Sequence, residues 1–273
     1  MKFGICCGPQ SFGGSDVREG VARLADAMQN AGADYFEFAA SNLKAGGDEK
    51  EYQELHEALA SQTLKPEVFN IFLPAPYRIT GPEVNLAPIL AYATTTLQRC
   101  KEVGGEVMVL GSGAARRVAE GFDGAEARSQ FLQFCRELGP IAKDAGIDIA
   151  IEPLNHREDN LINSVEQGAQ IVDEANHPRI CLLADLYHIA EDNETLENTA
   201  RAGARLAHAH VADIGRVAPG FAENDEQDFV GFFHALRRAG YDGRCSFEGK
   251  FDDIATQSKP ALDLMKQRWR ESA

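Results

Sequence analysis

Four short stretches place acids and imidazoles where an apolar run ends. They are Ile151-Glu152-Pro153-Leu154-Asn155-His156-Arg157-Glu158, Leu183-Ala184-Asp185-Leu186-Tyr187-His188, His208-Ala209-His210-Val211-Ala212-Asp213 and Ser246-Phe247-Glu248-Gly249-Lys250. Each has an ordinary explanation when taken alone. A strand-end Glu such as Glu152 pairs with a cation, Asp185 caps a helix, a lone His is satisfied in a core, and Glu248 pairs with Lys250. Together they are harder to dismiss. Three neighbouring carboxylates buried without a cation would raise one another's pKa values. Glu152, Asp185, His210 and Glu248 form a donor set of three carboxylates and one imidazole. Such a set suits a divalent ion that prefers oxygen and tolerates nitrogen: Mn²⁺ first, then Mg²⁺ or Co²⁺. A closed zinc site would take more His or Cys. His208 and His210, two apart, share one face of their strand.

The four stretches can meet only if strands bring their ends together. Apolar runs read as strands over 2–7, 35–38, 65–73, 106–110, 148–153, 180–185, 206–211 and 244–248. Segments of helical period lie between and after them, at about 16–31, 48–62, 85–103, 124–145, 164–175, 193–203, 227–239 and 254–270. In the fourth, Phe131, Phe134, Cys135 and Leu138 share a face, and Pro140 is expected to kink or break the helix. Gly32, Gly146 and Gly240 follow helical stretches where a left-handed cap is wanted. Eight strand-then-helix units predict a single (β/α)8 TIM barrel over residues 1–273, with the strand C-termini at one mouth. The competing doubly wound sheet usually carries GxGxxG after its first strand, and Cys7-Gly8-Pro9-Gln10-Ser11 is not that motif.

At these residues the chain resembles the sugar phosphate isomerase/epimerase superfamily of xylose isomerase-like TIM barrels, and within it the ketose 3-epimerases acting on tagatose and psicose. IEPLNHRED, LADLYHIAED, HAHVADIGRVAPG and SFEGKF carry the likeness. The resemblance implies that Glu152, Asp185, His210 and Glu248 bind the metal. It further implies that Glu152 and Glu248 act as the acid/base pair, while Glu158, His188 and Arg216 contact substrate oxygens. His208 would be a structural neighbour. The implied reaction is proton transfer beside a carbonyl through a metal-stabilised enediolate, with ketose C3 epimerisation the leading form. Elimination on 3-keto-glycosides or another keto sugar, and a hydroxypyruvate-type aldose–ketose isomerisation, are the alternatives. The partner is a sugar or keto-sugar. A homo-oligomer is common in the family, though the residues leave that state open. One departure is Leu110-Gly-Ser-Gly-Ala-Ala-Arg-Arg117, a Gly-rich basic loop whose Arg116 and Arg117 are expected either to hold an anionic or larger substrate or to form a solvated turn.

Composition removes other classes. The formal charge of −15 disfavours nucleic acid, whose phosphates need a basic surface. An endonuclease IV-type repair enzyme would need many His ligands for three zinc ions, and no His stands in Phe69-Asn70-Ile71 or Leu110-Gly111. A non-enzymatic sugar-binding barrel would have lost the glutamate pair. His56-Glu57 is not an HExxH, because position 60 is Ala. No apolar run is long enough for a membrane span or a secretory signal, so a cytoplasmic protein is expected and the Asn193-Glu194-Thr195 sequon is read as chance. Cys6, Cys7, Cys100, Cys135, Cys181 and Cys245 form no CxxC pair and read as reduced thiols. Phe69, Phe72, Pro74 and Tyr77 are read as core rather than as a wall for a sugar face. Glu37, in YFEFAA, is expected to be a buried ion-paired residue or a contact near the substrate.

Overall fold

Strand and helix alternate along the whole chain. The strands are β1 (Lys2–Ile5), β2 (Phe36–Ala39), β3 (Pro66–Asn70), β4 (Val107–Leu110), β5 (Asp148–Ile151), β6 (Ile180–Asp185), β7 (Leu206–Val211) and β8 (Arg244–Phe247). The helices are α1 (Val17–Ala31), α2 (Glu49–Ala60), α3 (Leu86–Glu102), α4 (Gly113–Arg116), α5 (Gly124–Ala145), α6 (Val165–Ala175), α7 (Leu186–Glu191), α8 (Leu196–Ala202), α9 (Phe229–Arg238) and α10 (Ile254–Glu271). This computed structural model describes residues 1–8, 11, 13–223 and 226–273. The turn at Pro9 and Gln10 therefore lies outside the described residues.

The eight strands form one parallel sheet in the order β1-β8-β7-β6-β5-β4-β3-β2. The last seam is thinner. β1 and β2 meet at a Cys6–Glu37 bridge, where the Cys7 N–H donates to the Glu37 carbonyl at 2.9 Å. The result is a nearly closed (β/α)8 barrel. Alternation along each strand separates two sets of side chains. Tyr35, Val68, Val107, Val109, Ala150 and Leu183 pack together in a small cluster of their own. A much larger apolar layer joins the strands to the helices and includes Phe131, Phe134, Cys135 and Leu138 of α5. Of the four residues read as core, Phe69 and Phe72 are buried in that layer, whereas Pro74 and Tyr77 are only half-buried.

Acid residues start most of the helices. Asp16, Asp48, Asp123, Asp185, Asp228 and Asp253 each accept a backbone N–H in the first turn of the helix that follows. Capping and the positive end of the helix dipole thus account for these acids with no basic partner needed, except for Asp185, whose second oxygen faces the cluster described below.

The structure departs from the sequence reading in several places; β1 and β5 end two residues early, and a short helix, α4, forms within the Gly-rich loop. β3 stops at Asn70 rather than running to 73, because Ile71 takes φ 51° and turns the chain out of the sheet. Pro140 neither breaks nor ends α5, which continues to Ala145. Pro140 is exposed, so the carbonyl that its missing N–H leaves free can face water. An unforeseen short helix, α7, starts directly after Asp185, and the next begins only at Leu196.

Candidate active site at the barrel mouth

Parallel strands in register deliver their last residues to one end. Asp185 pairs with His210 across β6 and β7, and His210 pairs with Ser246 across β7 and β8. Glu152 and Glu248 each sit one residue past their strands. Ligand atoms of Glu152, Asp185, His210 and Glu248 all lie within 4.8 Å of one another. Glu152, Asp185 and His210 are buried, and Glu248 is partly so. All four sequence-derived ligand candidates therefore meet.

Local structure holds each of them. Asp185 Oδ1 caps α7 by accepting the Tyr187 N–H at 2.8 Å, which leaves Oδ2 for the site. Glu152 Oε1 lies 3.3 Å from His210 Nδ1. A Cβ at Gly111 would come within 2.2 Å of Glu152 Oε2, so this carboxylate needs a glycine on the neighbouring strand end. Glu248 Oε1 accepts from Asn70 Nδ2 at 2.8 Å, and its Oε2 accepts from Arg216 Nη2 at 2.8 Å. Lys250 is not its partner.

The expected substrate contacts ring the cluster. Arg216 Nη1 also reaches Glu158 Oε1 at 3.2 Å, and the guanidinium lies 4.9 Å from the Tyr187 ring centre. Its backbone is held at φ 61°, an uncommon conformation for a residue other than glycine. Glu158 is more exposed than the rest, at the rim. His188 is buried. Its Nδ1 accepts the Asn155 backbone N–H at 3.2 Å, so in the neutral ring the proton resides on Nε2. That Nε2 has no hydrogen-bond partner and points toward Asp185 Oδ2 at 3.6 Å and Glu152 Oε1 at 3.9 Å.

The electrostatics leave the acids short of positive charge. Burial pushes Asp185 above the usual carboxylate range, opposed by His188 and His210 and reinforced by Glu152. Burial raises Glu248 as well, with Glu152 and Asp185 adding to it against the pull of His210 and Arg216. Burial also acts on Glu152, but the hydrogen bond and charge of His210, then His188 and Arg216, bring it below its ordinary value. His210 is shifted well up: burial opposes its charge, yet Glu37 and Glu248 outweigh that penalty. An anionic donor set with an orphaned buried N–H beside it fits a divalent cation and an oxygen-rich ligand.

Glu37 and His208 lie beneath the cluster. Glu37 is fully buried, with Oε1 3.0 Å from His210 Nε2 and Oε2 3.0 Å from His208 Nε2. Burial works against this acid's charge, but the two imidazoles more than offset it and hold it well below the carboxylate range.

Arg116 requires a correction, whereas Arg117 lies in solvent as the solvated-turn alternative expects. Arg116 is neither a substrate clamp nor part of a solvated turn. It is fully buried, paired with Asp159 Oδ2 at 2.6 Å, and it donates to the carbonyls of Leu110 and Glu152 at 3.1 and 2.7 Å. Arg117 is exposed, and its side chain donates to the Glu158 carbonyl at 3.3 Å. Two contacts escaped the sequence reading, Asn70 and Asn155. Their one signal was a strand-end or near-strand-end position, which an amide does nothing to advertise.

A family profile described as xylose isomerase-like TIM barrel matches residues 25–268. An L-ribulose 3-epimerase of Methylomonas sp. (strain DH-1) is 30% identical over 149 residues, 54% of this chain and 51% of that protein. A 3-dehydro-D-guloside 4-epimerase of Escherichia coli (strain K12) is 28% identical over 134 residues, 48% of this chain and 50% of the relative. The matched segments thus span about half the length of these curated relatives. Among solved structures, a D-psicose 3-epimerase with D-tagatose from Clostridium cellulolyticum H10 superposes with a TM-score of 0.83 at 19% identity, covering 98% of this chain and 99% of that one. That likeness shows the fold.

Proposed function

The chain belongs to the xylose isomerase-like TIM barrel family, and from that premise we propose that it is a divalent-metal-dependent sugar epimerase acting at C3 of a ketose. One observation carries this reading. Two glutamates from different strands, Glu152 and Glu248, meet in one largely buried cluster with Asp185 and His210, the pair of carboxylates that an acid/base scheme on two faces of a carbon requires. The name of the L-ribulose 3-epimerase relative points to the same chemistry.

Glu152, Asp185, His210 and Glu248 would hold the ion, with Mn²⁺ the leading choice and Mg²⁺ or Co²⁺ the alternatives. Bound there, such an ion would supply Lewis acidity to a carbonyl and an adjacent hydroxyl. The protein's own groups do the rest. One glutamate takes the C–H proton beside the carbonyl, and the other returns a proton to the opposite face. His188 donates through Nε2 to a substrate oxygen. Arg216 adds positive charge where negative charge develops and keeps Glu248 in place. Glu158 braces Arg216 from the rim. The substrate is a sugar or keto-sugar. A keto-glycoside is the second reading, favoured by the E. coli 4-epimerase relative.

Deuterium uptake tests the reaction. Protein stripped of metal and reloaded with Mn²⁺ or Co²⁺ is incubated in D₂O with ketoses, ketose phosphates and 3-keto-glycosides. NMR then reads which carbon exchanges, with a chelator control. Metal-dependent exchange at C3 with a new diastereomer is expected. Exchange at C1 or C2 would make the protein an aldose–ketose isomerase, and exchange at C4 of a keto-glycoside would select the second reading. No metal-dependent exchange in any compound would overturn the proposal.

A further inference from the structure

We propose that Glu37 is a positioning residue. Its carboxylate, set across the barrel interior from β7, fixes the His210 ring so that Nδ1 is the nitrogen presented to the cation. The inference rests on reading Glu152, Asp185, His210 and Glu248 as the cation site.

Geometry carries the argument. His210 Nε2 lies 3.0 and 3.2 Å from the two Glu37 oxygens. Its other nitrogen, Nδ1, lies 3.3 Å from Glu152 Oε1 and 3.6 Å from Glu248 Oε2. An ionised carboxylate only accepts hydrogen bonds. A neutral imidazole has a single N–H. With the cation on the Nδ1 side, where Glu152 and Glu248 also lie, the single N–H goes to Nε2 and donates to Glu37, and the Nδ1 lone pair is left for the ion. A metal-binding His commonly donates its second ring nitrogen to a carboxylate or carbonyl, which sets both tautomer and ring orientation.

Glu37 is itself held at several points. It has no Lys or Arg partner among the described residues, and both imidazoles that face it come from β7. His208 Nε2 meets Oε2 at 3.0 Å, and the His208 and His210 rings stand edge to face at 4.7 Å. Ser246 Oγ, 3.4 Å from His208 Nε2, is in turn 2.8 Å from the Tyr35 hydroxyl. The Glu37 backbone closes the barrel seam by accepting the Cys7 N–H. The residue that joins the first and second strands thus also aims a ligand on the seventh. Glutamine cannot replace it fully, because an amide offers one acceptor and one donor to two imidazoles that both need an acceptor.

The test compares Mn²⁺ binding, read by EPR of the free ion, in the wild-type chain, Glu37→Gln and Glu37→Asp. Glu37→Gln is expected to raise the Mn²⁺ dissociation constant about 10–100-fold. Its far-UV circular dichroism should stay unchanged, while the visible spectrum of the Co²⁺-loaded protein should alter. Glu37→Asp should recover part of the loss. Wild-type affinity and an unchanged Co²⁺ spectrum in a folded Glu37→Gln would overturn the inference while leaving the cation site standing. Absence of Mn²⁺ binding by the wild type would instead overturn the cation reading, and this inference with it. If Glu37→Gln does not fold, ¹⁵N NMR of the Zn²⁺-loaded wild type decides. The His210 proton on Nε2 is expected, and a proton on Nδ1 would contradict the assignment.

Discussion

Two groups of buried charge meet at Glu152, and they are built on opposite principles. On the backbone side, Arg116 and Asp159 bury one cation against one anion, and two further guanidinium N–H groups go to the Leu110 and Glu152 carbonyls. On the side-chain side, three carboxylates gather around the His210 imidazole, with Arg216 at the edge; each group leaves one polar atom without a partner among the described residues, Asp159 Oδ1 in the first and His188 Nε2 beside the second. The first group answers its own charge and fixes the ends of β4 and β5. The second is held in place by the fold yet left short of positive charge, so it is arranged for something that arrives from outside. Burial does not distinguish structure from site here. The balance of charge does.

Breaking the second group should cost the most in rate. Glu152→Gln or Glu248→Gln should lower turnover about 10²–10⁴-fold, the usual range for a lost acid/base group. Such variants should keep the fold, since one of three crowded acids becomes neutral. Steady-state kinetics and a urea melt would check both halves. Near-normal turnover in Glu248→Gln would end the two-base scheme.

Breaking the first group should cost stability instead. Arg116→Met strands Asp159 as an unpaired buried anion, and loss of one partner of such a pair costs about 3–5 kcal/mol. Urea denaturation would measure it. Arg116→Met combined with Asp159→Asn should recover much of that loss, and failure to do so would mean that the carbonyl contacts matter more than the charges.

Adding the missing charge should sharpen the contrast. Mn²⁺ at 100 times its dissociation constant should stabilise the wild type by about 2.7 kcal/mol. Asp185→Ala should gain far less at the same concentration, and Arg116→Met should gain as much as the wild type. Thermal melts with and without Mn²⁺ would show it.

The effect that is absent at neutral pH belongs to a buried group that carries no charge. Burial pushes the Cys135 thiol up to about 12, against the opposing field of Arg116. The folded state thus keeps this proton longer than the unfolded chain, whose thiol titrates near 9. Its contribution to stability is complete below that ordinary value and is lost as the pH rises toward about 12. Cys135→Ala should flatten the alkaline limb of the stability profile, as measured by urea midpoints across that range.

The four cluster residues were legible because a parallel barrel makes strand ends predictable, and acids in that position stand out from an apolar run. Arg116 was misread for a physical reason. A Gly-rich basic loop looks like surface, and its burial depends on Asp159, which lies 43 residues away in the chain. Asn70 and Asn155 were missed because a hydrogen-bonding amide leaves no periodic trace. Glu37 stood out as an acid in an apolar strand, but no spacing in the chain links it to His208 and His210 on the other side of the barrel.

The central claim is that the charge-short group takes up one divalent ion. Equilibrium dialysis of the metal-stripped chain against Mn²⁺ tests it most directly, with Asp185→Ala and Arg116→Met dialysed alongside. One ion per chain is expected in the wild type and in Arg116→Met, with greatly weakened binding in Asp185→Ala. An ion bound equally well by Asp185→Ala, or none bound by the wild type, would contradict it.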